Sequence, residues 1–174
     1  EKYQPVAGFG GMLNPIIWCG SNVLSTSDIN KLYSPNQLGY NILRLMIYPN
    51  RNDWAADVPA AKAAAAHGAT IFACPWDCTD ALADKLNGKK HLKHENYAAY
   101  AQHLVDYIEY MRSQGVEIYA ISVQNEPDME FTFWQPNETT ILSALQSISP
   151  EYITPPSADA EKESEANIIR QAIR

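Results

Sequence analysis

The sequence predicts an α/β protein in which strands and helices alternate and the strands lie parallel. Three observations carry this. Short apolar runs recur at residues 40–46, 70–73 and 117–123, the last rich in Ile, Val and Tyr. Helical stretches at residues 57–67 and 96–114 separate them. Gly68 and Gly115 follow those stretches and stop each helix before the next strand begins. Repeated strand–helix units of this kind build a parallel sheet.

A weak strand candidate comes first, around Val6 just before Gly8. Residues 40–46 (YNILRLM) form an apolar run with a single charge, Arg44. Residues 57–67 contain PAAKAAAAH; Ala is the best helix former, and Pro59 is tolerated in a first turn. The run TIFA at 70–73 is the next strand. Over 96–114, Tyr97, Tyr100, Ala101, Leu104, Ile108 and Met111 recur at three- and four-residue steps and form one apolar face. The run EIYAISV at 117–123 is the best strand, and 152–154 is a weaker one. In the tail, Glu161, Glu163 and Glu165 precede Arg170 and Arg174, the order that a helix dipole favours. Ala166, Ile169, Ala172 and Ile173 would share a face there, so residues 158–174 are expected to be helical. No linker, repeat or low-complexity tract marks a second domain. The expected division is one catalytic part over 1–157 and a divergent tail over 158–174.

Net charge is −7, which argues against non-specific nucleic-acid binding because phosphates would be repelled. No stretch reaches the roughly 20 apolar residues that cross a bilayer, so no membrane partner is expected. The first residues lack the apolar core of a signal peptide. Cys19, Cys74 and Cys78 are odd in number, which excludes full intramolecular pairing. They lack the second ligand pair of a zinc site and read as buried or half-buried thiols. No metal or other cofactor is expected.

The sharpest feature is Gln124-Asn125-Glu126-Pro127 at the end of the best strand. Parallel βα architectures bind ligands at the C-terminal ends of their strands. A carboxyl there can be partly desolvated, which raises its pKa and keeps it protonated near neutral pH. Asn125 offers a donor and an acceptor to a sugar hydroxyl. Taken alone, the tetrapeptide could equally be a turn that ends a strand. Arg44 shifts the balance, because a charge inside an apolar strand is costly unless paired with carboxylates, so Arg44 is read as orienting active-site carboxylates. Trp18, Trp76 and Trp134 each follow a strand candidate at the same end, where aromatic faces suit the apolar faces of sugar rings. Each of them could instead be packing.

In order along the chain stand Gly8-Phe9-Gly10-Gly11-Met12, Leu38-Gly39-Tyr40-Asn41-Ile42-Leu43-Arg44, Phe72-Ala73-Cys74-Pro75-Trp76 and 120–127 (AISVQNEP). Residues 97–104 (YAAYAQHL) lie between the last two. Together these resemble glycoside hydrolase family 30, in its bacterial endo-xylanase and glucuronoxylanase branch, over roughly residues 3–154. The resemblance implies a (β/α)8 barrel with a side β-sandwich and a retaining mechanism, with this chain as the N-terminal half. It implies Glu126 as general acid/base preceded by Asn125, Arg44 as the Arg of the second strand, and Trp18 and Trp76 as substrate contacts. Two carboxyls about 5–5.5 Å apart would flank the glycosidic bond. Glu126 would protonate the leaving oxygen and then activate water.

The family's nucleophile is a Glu on the seventh strand, and this chain departs from the pattern before that point. Pro155-Pro156-Ser157 stands where the family usually has Pro-Glu-Ser. The 174 residues are fewer than the about 250 of a whole barrel. The expectation is therefore a chain with the acid/base and without the nucleophile, inactive alone. It would need a C-terminal half chain or self-association, and it would act on xylan or xylo-oligosaccharides outside the cell. The alternatives are a non-catalytic xylan-binding or assembly module, and another family activity such as glucosylceramidase.

Overall fold

The computed structural model describes residues 5–18, 24–86 and 89–125. In chain order the elements are β1 (Gly10–Leu13), α1 (Pro15–Trp18), α2 (Thr26–Tyr33), β2 (Ile42–Ile47), α3 (Val58–Ala66), β3 (Thr70–Pro75), β4 (Ala83–Leu86), β5 (Lys89–Leu92), α4 (Tyr97–Ser113) and β6 (Ala120–Ile121). Strands β1, β2, β3 and β6 form one parallel sheet in that order. The order never reverses. A doubly wound sheet would return a later strand to the far side of the first, whereas a barrel adds each strand beside the last. The four strands are thus the first four of a (β/α)8-type wall. Between β3 and α4 the chain makes an antiparallel hairpin of β4 and β5.

Strand alternation divides the sheet into two unlike faces. One row across it is Leu13, Leu45, Ala73 and Ile121, all buried. It shares a core with Ala60, Ala61 and Ala64 of α3 and with Leu104 and Ile108 of α4. The adjacent row is Met12, Arg44, Phe72 and Ala120, of which the first three are only half-buried. Helices cover the first face, so the second is the face that points to the barrel interior.

The helices follow from their sequences. Small Ala60, Ala61 and Ala64 let α3 lie close on the sheet. On α4, the six apolar residues at helical spacing are all buried, as are His103, Val105 and Tyr107. Gly68 and Gly115 have φ of 81° and 80°, a left-handed conformation that other residues adopt only with strain. The α2 helix begins at Ser25, whose Oγ accepts from the Asp28 amide at 3.2 Å. A 3-10 turn at Arg51–Asp57 joins β2 to α3. Buried Trp54 anchors it, donating from Nε1 to the Tyr48 carbonyl at 2.8 Å and meeting His103 and Tyr107 edge-on.

The first strand does not lie around Val6, which is 72% exposed, but at Gly10–Leu13. Glycine is a poor strand former by propensity. Here it is what permits the pairing, because a Cβ on Gly10 would sit 1.7 Å from the Ile42 carbonyl oxygen. Asn41 secures the preceding residues, accepting from the Phe9 amide at 2.9 Å and donating to the Ala7 carbonyl at 3.3 Å. Gly10→Ala is expected to destabilise by about 1–3 kcal/mol through overpacking against backbone that cannot rotate away. Equilibrium denaturation checks it, and an unchanged midpoint would refute the close approach. Residues 152–154 and the tail 158–174 lie outside the described residues, as does Cys19. Cys74 and Cys78 are buried.

Candidate active site

Three strands bring side chains together at the C-terminal end of the sheet. Arg44, on the inner row of β2, donates from Nη2 to Asn125 Oδ1 at 2.5 Å. This bond joins residues 81 positions apart in the chain and is part-buried. The partner that Arg44 meets among the described residues is thus an amide oxygen at the rim, where a carboxylate was expected. A hydrogen bond from a charged donor is worth about 1.5–3 kcal/mol, more than a neutral one.

Asn125 is held from a second direction, since its amide donates to the Pro75 carbonyl at 2.9 Å. Its position is therefore set by β2 through the side chain and by β3 through the backbone. Buried Gln124 precedes it. Trp76 leaves β3 directly after Pro75 and is half-buried against the core. Trp18 ends α1, the turn that leaves β1 at this same end, and its side chain lies outside the described set. Glu126 and Trp134 lie outside the described residues. The structure thus brings Arg44, Asn125 and the start of the Trp76 loop to one rim.

The loop after Trp76 is pinned by Lys90 of β5. Its ammonium donates to Asp80 Oδ1 at 2.7 Å, Asp77 Oδ2 at 3.0 Å and the Cys78 carbonyl at 2.5 Å. Three N–H bonds meet three acceptors, which uses the full capacity of the group. Burial alone would lower the Lys90 pKa, but the Asp80 and Asp77 carboxylates outweigh it and raise it. The ammonium therefore stays charged, and the hairpin stays tied to the rim.

Sequence reasoning missed Asn14. It stands immediately beyond β1 and is 2% exposed. Its Oδ1 accepts from Tyr48 OH at 3.2 Å and from the Ile17 amide at 3.3 Å. Its Nδ2 has no partner among the described residues. The only signal was an Asn before Pro at a strand end. The hairpin was missed too, because its strands read ADKL and KKHL and carry more charge than a buried strand tolerates.

Comparisons with known proteins agree with the fold. No family model matches the chain. Glucuronoxylanase XynC of Bacillus subtilis (strain 168) is 44% identical over 78% of this chain. The chain spans about a third of the length of that curated relative (33%). Among solved structures, a family 30 endoxylanase from Clostridium papyrosolvens C71 matches with a TM-score of 0.64 and 34% identity, over 80% of this chain and 40% of that one. A family 30 subfamily 8 xylanase from Clostridium acetobutylicum matches with a TM-score of 0.70 and 27% identity, over 95% of this chain and 46% of that one.

Proposed function

We propose, for a chain that belongs to glycoside hydrolase family 30 and matches the N-terminal part of its xylanases, that it carries the acid/base half of a retaining endo-β-1,4-xylanase site. The observation that carries this reading is the Arg44–Asn125 hydrogen bond at the C-terminal rim, with Glu126 next in sequence. In this reading Glu126 gives its proton to the departing sugar oxygen and then takes one from the attacking water. Asn125 turns its amide N–H bonds toward a sugar hydroxyl while Arg44 occupies its oxygen. Trp18, Trp76 and Trp134 form the platform on which xylose rings stack. The nucleophile comes from the C-terminal half of the barrel. The substrate is xylan or glucuronoxylan, a polymer too large to import, so the place of action is outside the cell. No helix among the described residues is long and apolar enough to cross a membrane.

Reducing-sugar release from glucuronoxylan tests the reading, measured on the chain alone, on a family 30 C-terminal half alone, and on the two together. Release only from the pair supports it. Release from the chain alone would place a nucleophile within residues 1–174 or their oligomer. Binding to xylan with no release under any condition would favour a non-catalytic module. Within the active pair, Arg44→Ala is expected to lower kcat/KM roughly ten- to hundredfold, the loss of one charged hydrogen bond at the reacting centre. An unchanged kcat/KM would remove Arg44 from the site.

A further inference from the structure

The end of β6 is not regular. Ser122 donates its amide to the Ala73 carbonyl, and Asn125 donates to the Pro75 carbonyl. One residue separates the two acceptors on β3, but two separate the donors. The extra residue, in the Val123–Gln124 step, is a β-bulge, a device that re-aims the side chains beyond it. A bulge frees carbonyls from the ladder, and each freed carbonyl needs a donor. The Val123 carbonyl accepts from Tyr100 OH at 2.5 Å. The Gln124 carbonyl lies 3.2 Å from Ser122 Oγ, a hydroxyl that also lies 2.8 Å from Cys74 Sγ and can donate to one of them at a time. The firmer hold is therefore that of Tyr100. This side chain is fully buried on α4, so it ties the bulge to the rigid layer of the fold. Burial, then the nearby Cys78, Cys74 and Asp77, keep its phenol protonated well above the usual tyrosine range, so it stays a donor.

We infer that Tyr100 is a positioning residue for the acid/base segment: by holding the Val123 carbonyl it fixes the bulge that sets Asn125, the residue before Glu126 in sequence, on Arg44. The inference rests on the reading of Glu126 as the general acid. It predicts a larger loss in bond cleavages that need that acid than in those that do not.

The test is Tyr100→Phe in the active enzyme, assayed on xylan and on a nitrophenyl xylo-oligoside. The nitrophenolate leaves without a proton, and kcat/KM reports the glycosylation step alone. Tyr100→Phe is expected to lower kcat/KM on xylan roughly ten- to hundredfold, the scale of a misplaced catalytic group, and by a clearly smaller factor on the nitrophenyl substrate, where only the Asn125 sugar contact is disturbed. Ser122→Ala, which removes the donor at the second freed carbonyl, is expected to show the same selectivity with a smaller loss. It is read in place of Tyr100→Phe should that variant not fold. Equal losses on both substrates, or none on either, overturn the inference. Glu126→Gln run alongside separates the two failures. If it retains xylan turnover, the acid/base reading falls. If it loses turnover while Tyr100→Phe and Ser122→Ala match the parent, only the role of Tyr100 falls.

Discussion

Replacing Glu126 by Gln in the complete enzyme is expected to lower turnover on xylan by about 10²–10⁴-fold, the range that a positioned general acid/base contributes. Gln is nearly isosteric and neutral, so it preserves the shape of a protonated Glu but has no proton to give. A xylan leaving group departs as an alkoxide unless it is protonated. The first step therefore stalls. With a nitrophenyl xylo-oligoside the first step survives, because the leaving anion is stable by itself. The second step then lacks its base, and glycosyl-enzyme accumulates, seen as a burst of nitrophenol followed by slow turnover. Azide, a nucleophile that needs no base, should restore the steady rate. Near-normal xylan turnover in Glu126→Gln would end the assignment, and a uniform loss on both substrates would point to a structural role.

What the sequence disclosed, and what it hid, divides along a physical line. Strands β2 and β3 were legible because apolar runs of this kind are what a two-sided buried strand requires. Helices α3 and α4 were legible because Ala content, spacing and a terminal Gly act within one helix. Arg44 stood out because a charge in such a strand needs an explanation. Features set by pairing were hidden. Glycine propensity argued against β1 at Gly10, and only the approach of Ile42 makes that glycine necessary. The run at 117–123 reads as one strand, yet only Ala120–Ile121 pairs regularly, and past Ser122 the ladder carries an extra residue before Asn125. Tyr100 looked like one more apolar position on α4. Its side chain does fill the core, but its hydroxyl serves a carbonyl 23 residues away in the chain. Nothing in local pattern could report that.

Asp57 is expected to make the protein less stable as pH rises, and Asp57→Asn to abolish that dependence. The carboxyl ends the 3-10 turn after β2, is 1% exposed, and has one oxygen with no hydrogen-bond partner among the described residues. It also precedes α3, whose N-terminal dipole would favour a negative charge by about 0.3–1 kcal/mol. That dipole loses to burial, since Asp57 makes no capping hydrogen bond. Desolvation pushes its pKa from the usual 3.8 up to about 7. The sign follows from proton binding. Between these two values the folded chain keeps the proton and the unfolded chain releases it, so stability falls as pH rises through the window. At 1.36 kcal/mol per pH unit the loss from pH 4 to above pH 7 is on the order of 4 kcal/mol. Asn keeps the shape of the neutral acid and cannot ionise. Its thermal midpoint should match the parent at pH 4 and exceed it by roughly 8–16 °C at pH 8, the shift that this free energy gives in a domain of this size. Because every other titrating group is common to both proteins, the difference between them isolates Asp57. Parallel midpoints from pH 4 to pH 8 would show that the carboxyl ionises in the folded state at its ordinary value, and that water or motion reaches a group buried near Tyr107.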